Sequence, residues 1–305
     1  MKRYVLVIVG IFLAVFGASA QQDSLLVLFW NVENFYDYKV NADRGWSARR
    51  FYAKVGAVTK TLLWSADQLG QLPDAVGFAE LEDAYVLKQL CYSDELRKYG
   101  YSYIHFDSPD PRGIDVGLLY RKSRLKPVSA RPVRIAEFRT RDILVADFET
   151  TSGDTLHLIV NHHPSKYGGA GTDDRRKVAM RVLKGICDSL STSGTCRRTV
   201  AVGDFNDTPD GGAFPIIKGV LDNLAEVPFN RGEGTIRYDG KWELIDMIMV
   251  SDDLSDTEMK ILYPPFLMTR DTAHSGEKPL RTYSGPRYLG GVSDHLPVAA
   301  KLYIK

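Results

Sequence analysis

Little in this sequence leans to an extreme, and its absences narrow the options first. Only three cysteines occur in 305 residues. They are Cys91, Cys187 and Cys196, and no CxxC pair exists, which sets aside thiolate zinc sites and dithiol redox chemistry. Charge of one sign is also missing: 39 Lys and Arg stand against 38 Asp and Glu, leaving +1. A polybasic binder that gains affinity by neutralising many phosphates is therefore disfavoured. An enzyme that engages a few phosphates in one place is not. No internal repeat, low-complexity tract or linker-like break is visible. With 44% hydrophobic and 25% charged residues, the chain is neither disordered nor fibrous.

The N-terminus carries the one long apolar run. Met1-Lys2-Arg3 is basic, Tyr4 to Phe16 is apolar, and Ala18-Ser19-Ala20 precedes Gln21. This is the layout of a secretory signal peptide. The competing reading, a membrane anchor, needs ~20 apolar residues, and no cysteine follows for lipidation. The expectation is a signal over residues 1–20 and one α/β domain over 21–305, exported to a periplasm or secreted, without stable membrane insertion. Removing two bases and no acids leaves that domain at −1. Export permits disulfides. Cys187 and Cys196 flank a Ser/Thr/Gly loop and either pair, leaving Cys91 free, or all three stay thiols.

Apolar spacing lays out the elements. Leu25 to Trp30 reads as a buried strand and residues 32–47 as loop. Phe51, Val55, Val58, Leu62 and Leu69 fall close to helical period within Ala48 to Leu69, an amphipathic helix. Further helices fit Asp83 to Cys91 and Asp173 to Leu190. Strands fit Asp74 to Glu80, Tyr101 to Phe106, Ile114 to Tyr120, Asp142 to Thr151, Thr155 to Asn161, Thr199 to Gly203, Leu244 to Val250 and Pro297 to Tyr303. Residues 264–292 lack periodicity and read as a long functional loop.

Polar residues collect where these strands end: Asn31, Glu80, Asn161-His162, Asp204 with Asn206, Asp246, and Asp294-His295. Strand ends on a rigid α/β base are where loops aim ligand groups. Carboxylates and carboxamides are hard oxygen donors suited to Mg²⁺ or Mn²⁺, and imidazoles beside them suit proton transfer or phosphate binding. Metal-assisted phosphoester hydrolysis follows. Singly, each feature has a plainer reading: a solvated loop acid at Glu80, an Asp turn at Gly203-Asp204-Phe205-Asn206-Asp207, a local turn at Ser293-Asp294-His295, surface histidines at His162-His163. The combination is the more specific signal.

These residues also carry a family resemblance. Phe29-Trp30-Asn31-Val32-Glu33-Asn34, Phe78-Ala79-Glu80-Leu81-Glu82, Arg112 to Tyr120, Asn161-His162-His163-Pro164-Ser165-Lys166, Gly203-Asp204-Phe205-Asn206, Leu244 to Ile248 and Ser293-Asp294-His295-Leu296-Pro297 resemble, in order, the motifs of the endonuclease/exonuclease/phosphatase superfamily, the deoxyribonuclease I-like fold. The resemblance implies a four-layer α/β/β/α sandwich of two packed mixed β-sheets flanked by helices. It implies Glu80 as principal Mg²⁺ ligand (Mn²⁺ being the alternative ion), with Asn31 adjacent, Asp294 at the same or a second metal position, and Glu33 touching a second metal. Asp204 would orient or deprotonate the attacking water, and Asn206 would hold a phosphate oxygen. His295, oriented by Asp246, would bind the phosphoryl group or act as base, and His162 rather than His163 would be the second imidazole.

The substrate is less legible. Arg44, Arg49 and Arg50 follow the first motif, Arg112 precedes a strand, and Arg281, Tyr283, Arg287 and Tyr288 precede Ser293-Asp294-His295. Arg112, Arg281, Tyr283 and Arg287 read as substrate-binding, since arginine beside aromatics grips phosphates and stacks on bases. The expected activity is phosphodiester cleavage in nucleic acid by a monomer. The alternative is hydrolysis of small phosphoesters or lipid headgroups. A calcineurin-like dimetal site would need an upstream Asp-x-His, which is absent. A non-catalytic binding module would not need the whole set of strand-end groups.

Overall fold

A computed structural model describes residues 24–41, 45–166, 171–191, 197–254 and 258–303. The signal-like segment, Arg44 and Cys196 lie outside them, so the reading of residues 1–20 and the Cys187–Cys196 pairing are not addressed. Among the described residues no helix is long and apolar enough to cross a membrane.

Two six-stranded mixed sheets form the centre. The first runs β13 (Lys260–Ile261), β18 (Val298–Tyr303), β1 (Ser24–Phe35), β2 (Ala75–Leu81), β4 (Asp115–Arg121), β3 (Tyr101–His105). The second runs β5 (Leu125–Val133), β6 (Ile143–Thr150), β7 (Thr155–His162), β8 (Thr199–Asp204), β12 (Asp246–Val250), β9 (Asp222–Asn223). Among the described residues only β1/β2 and β7/β8 are parallel pairs. Three small hairpins decorate the sheets: β10 (Ile236–Tyr238) with β11 (Lys241–Glu243), β14 (Met268–Arg270) with β15 (Glu277–Pro279), and β16 (Tyr283–Ser284) with β17 (Arg287–Tyr288).

Strand alternation builds the layers. Along β1, Leu25, Val27 and Phe29 point into the core between the sheets, while Leu26, Leu28 and Trp30 pack under α1 (Ala48–Leu69) with Phe51, Val55, Val58 and Leu62. A strand covered on both faces has no polar face to show, which is why this segment reads as an unbroken apolar run. On the far side, Met180, Leu183 and Ile186 of α3 (Thr172–Leu190) close over the second sheet. The order is helix, sheet, sheet, helix, as the family resemblance implies. At Gly77 the two sheets approach too closely for a side chain. A Cβ there would stand 2.7 Å from Val202 Cγ2 and 3.3 Å from Val160 Cγ1.

Two sequence expectations change, and one strand has no counterpart among them. β1 continues through residues 32–35 rather than ending at Trp30, because Val32 and Phe35 remain buried in the apolar cluster under α1 while the Glu33 and Asn34 N–H groups between them bond to Asn31 and Glu80. The segment 264–292 contains two hairpins instead of unpatterned loop. β5 carries no apolar alternation: Pro127, beside a bulge, Pro132 and an exposed face mark an edge strand, where sheets tolerate proline.

Candidate active site

The sheet register assembles most of the polar set. His162 ends β7 and pairs directly with Asp204 at the end of β8, and Asp204 in turn faces Asp246 at the start of β12. Three chemistry-bearing residues therefore form one row across adjacent strands. Gly203 allows it, since a Cβ there would lie 2.6 Å from the Asn161 carbonyl oxygen. The loop after Val292 drops His295 onto the row. Its Nδ1 lies 2.8 Å from Asp246 Oδ2, and its Nε2 is 4.0 Å from Asp204 Oδ2. The Ser293 hydroxyl donates to the Asn31 carbonyl at 2.6 Å and accepts from the His295 N–H at 2.9 Å. The motif forms a local hydrogen-bonded turn, and that turn brings His295 to Asp246.

The first sheet supplies the opposite wall through two irregularities. β1 shifts register between Asn31 and Phe35, and β2 pairs irregularly between Ala79 and Leu81. Glu33, Asn34 and Glu80 lie in these stretches with φ of 47°, 48° and 64°, and Asn206 has φ 50°. These are four of the six non-glycine residues with positive φ among the described residues. Such conformations cost free energy and persist where the surroundings over-determine them. Here the contacts are visible. The Asn34 N–H donates to Glu80 Oε2 at 2.9 Å, the Asn206 N–H to Asp204 Oδ1 at 2.9 Å, and Asn206 Nδ2 to the His163 carbonyl at 3.0 Å. Asn31 joins the sheets, with Nδ2 donating to Asp204 Oδ2 at 3.0 Å.

Charge is set by burial and neighbours. Burial and the charge of Asp246 raise the Asp204 carboxyl to about 7, against the opposing pull of His295 and the bonds from Asn31 and Asn206. Burial alone would lower His295, but the charge and hydrogen bond of Asp246, with Asp204 and Asp294, hold it well above its ordinary value. His162 goes the other way, through burial and the charges of Arg141 and Arg112. At neutral pH the site thus holds one imidazolium, one neutral imidazole and a carboxyl poised near its midpoint. His163 is buried edge-on against Phe205 at 4.8 Å and is lowered to about 3 by burial and the charges of Arg141 and Arg176. It stays neutral in the core.

The residues fit a divalent cation. Glu80 Oε1 has only distant neighbours, Arg112 Nη1 at 3.7 Å and His162 Nε2 at 3.9 Å, beyond hydrogen-bond distance. Carboxylate oxygens of Asp204 and Asp246 lie within 4.8 Å of each other, and buried Asp246 Oδ1 has no hydrogen-bond partner. Oxygen donors with spare lone pairs suit a hard ion.

The proposed substrate residues divide. Arg112 is half-exposed beside Glu80. Arg281 reaches the site but is already engaged, with Nε 2.9 Å from Glu33 Oε1 and Nη2 3.1 Å from Asp294 Oδ2. Tyr283 accepts from Arg50 Nη1 at 3.3 Å and packs against Trp46 and Tyr288, with the Arg50 guanidinium 4.5 Å from the Tyr288 ring centre. Arg287 is exposed at the β16–β17 turn, and no contact joins it to the carboxylate set.

Two participants escaped the sequence reading. Lys54 is buried, and its Nζ donates to the Glu33 carbonyl at 2.6 Å and to Thr282 Oγ1 at 2.8 Å. Its place three residues after Phe51, on the apolar stripe of α1, was the available signal. Arg141 is buried too, with Nη1 3.2 Å from Asp110 Oδ2 and Nη2 donating to the His163 carbonyl at 2.8 Å. No motif around it announces this.

The model of the Endonuclease/Exonuclease/phosphatase family matches residues 27–304. The chain belongs to that family. It is, accordingly, a phosphoester hydrolase of a generally metal-dependent class. The fold agrees with solved members. A family protein from Bacteroides thetaiotaomicron superposes with TM-score 0.64 at 17% identity, covering 93% of this chain and 99% of that one. A mannosyl-6-phosphatase from the same organism gives 0.61 at 17%, covering 91% and 99%. D. rerio TDP2 complexed with single-strand DNA product gives 0.55 at 17%, covering 92% and 98%. No curated relative matches by sequence.

Proposed function

We propose that this family member is an exported, monomeric, Mg²⁺-dependent phosphodiesterase acting on nucleic acid, with Mn²⁺ as the alternative ion. The row His162–Asp204–Asp246, closed by His295 opposite Glu80, carries the hydrolytic reading. Glu80, with Asn31 and Asp294, would hold the ion, which supplies Lewis-acid polarisation of the phosphoryl oxygen. Asp204, poised at about 7, is matched to accept the proton of the attacking water near neutrality. His295, kept protonated by Asp246, donates a charge-assisted hydrogen bond to the phosphoryl group. Neutral His162 offers Nε2 beside Asp204 and Glu80, at 3.6 Å and 3.9 Å. The Asn206 side chain, pinned by the His163 carbonyl, contributes at the phosphate end.

The nucleic-acid reading is supported by Arg112 beside Glu80 and by the Arg50–Tyr283–Tyr288 stack near the Arg281 loop. One observation favours a second reading, hydrolysis of small phosphoesters: Arg281 is committed to Glu33 and Asp294, so few free cations face a long polyanion. A panel of plasmid DNA, RNA, bis-p-nitrophenyl phosphate, sugar and inositol phosphates, and sphingomyelin decides between them. Cleavage confined to monoesters overturns the nuclease reading. Export is tested by N-terminal sequencing of the protein from its native host. A mature chain beginning at Gln21 is expected, and a retained Met1 removes the signal reading.

A further inference from the structure

A second cluster of ligating side chains lies on the α2 (Ala84–Cys91) face of the first sheet. His105, at the end of β3, pairs across the sheet with Gly117, two residues beyond Asp115 on β4. Its side chain is only 3% exposed, yet Nε2 has no hydrogen-bond partner. A buried imidazole nitrogen without a partner requires an explanation, because native structures satisfy such atoms almost always. Asp115 Oδ2 stands 3.3 Å from that nitrogen, and Asp107 Oδ1 stands 3.8 Å from Nδ1.

We infer that His105, Asp107 and Asp115 form a binding site for a divalent transition-metal ion, distinct from the hydrolytic centre. One ligand atom from each residue lies within 4.8 Å of the others. Ligands bound about 2.0 Å from a tetrahedral ion stand about 3.3 Å apart, so the 3.3 Å gap between His105 Nε2 and Asp115 Oδ2 accommodates an ion with little movement. Asp107 now faces Nδ1 rather than Nε2, and being exposed it would turn toward the Nε2 side to join the same ion. The inner carboxylate is already oriented: Asp115 Oδ1 accepts from both the backbone N–H and the hydroxyl of Ser108, which leaves Oδ2 facing the imidazole. Such outer hydrogen bonds fix ligand direction in metal sites. Asp83, the N-cap of α2, lies close enough to feel the charge of His105 and adds to the local negative field. One imidazole with two carboxylates suits Zn²⁺ or Mn²⁺ better than Ca²⁺. The loop from Phe106 to Gly113 also carries Arg112, so an ion here would fasten the loop that presents Arg112 to Glu80.

The test is metal retention by the full-length protein. Wild type, His105→Ala and Asp107→Ala are loaded with Zn²⁺ alone, passed through gel filtration and assayed by mass spectrometry, each also in a Glu80→Gln background that impairs the hydrolytic centre. Wild type should retain one equivalent more than His105→Ala, and the difference should persist with Glu80→Gln. Zn²⁺ should raise the Tm of wild type more than that of either variant. If His105→Ala fails to fold, exposed Asp107→Ala keeps the question open to measurement, with Zn²⁺ affinity expected to fall at least tenfold. Equal Zn²⁺ retention and unchanged affinity overturn the site and leave His105 as an ion-paired core residue.

Discussion

Asp204 and Asp246 stand directly opposite each other on antiparallel β8 and β12, both buried, with His295 bonded to one and 4.0 Å from the other. The charge of Asp246 raises the Asp204 carboxyl and that of His295 opposes the rise. The arrangement makes this carboxylate pair a consequence of sheet register.

Activity should therefore depend on pH through Asp204. The acid limb of the kcat/KM profile is expected near pH 7, since the base must be ionised. Asp204→Asn and His295→Ala should each lower turnover by about 10²–10⁴-fold with circular dichroism unchanged. Turnover above about a tenth of wild type in either variant would remove the role assigned to that residue.

The same shift has a stability signature. Folded Asp204 keeps its proton up to about 7, whereas the unfolded chain releases it at the ordinary 3.8. The folded state binds more protons in that window, so this group's contribution to stability falls as pH rises from the ordinary value through about 7. In chelator, Asp204→Asn should melt above wild type at pH 8, and the two should converge at pH 4. Thermal melts at the two pH values check this.

Arg112→Ala should raise KM by about tenfold or more and change kcat less, as expected for a lost charge-assisted contact to substrate phosphate. Arg112→Lys should recover part of the loss. Steady-state kinetics at several salt concentrations separates the charge contribution from misfolding.

Lys54→Met removes the donor shared by the Glu33 carbonyl and Thr282 Oγ1. Burial has already lowered this amine to about 8, against the charges of Glu33, Glu80 and Asp294. Leaving buried acceptors unpaired should cost about 1–3 kcal/mol for each stranded group, read from urea unfolding. Because Thr282 follows Arg281, the loop should also become more sensitive to proteolysis.

Metal removal gives the broadest check. EDTA should abolish hydrolysis, Mg²⁺ or Mn²⁺ should restore it, and Glu80→Gln should weaken the restoration. Activity undiminished by thorough chelation would remove metal from the proposal.

Local order was written plainly in the chain. The apolar runs of β1 and β8 mark strands covered on both faces, the stripe of α1 marks a helix on a sheet, and short polar motifs mark strand ends, because burial imposes its period on sequence. Asp204, Asp246 and His295 were legible for the same reason, each sitting at a strand end or in a local turn. What the residues alone left open was decided by contacts between segments far apart in the chain. That His162, Asp204 and Asp246 form a single row follows from strand order and register. That Lys54 and Arg141 belong to the site follows from helix and loop packing. That Arg281 and Tyr283 are largely engaged by Glu33, Asp294 and Arg50, rather than free for substrate, follows from where a hairpin-bearing loop comes to rest. Periodicity reports which side of an element is buried. Only the tertiary structure reports which charge it is buried against, and at these distances that neighbour sets the protonation and hence the chemistry.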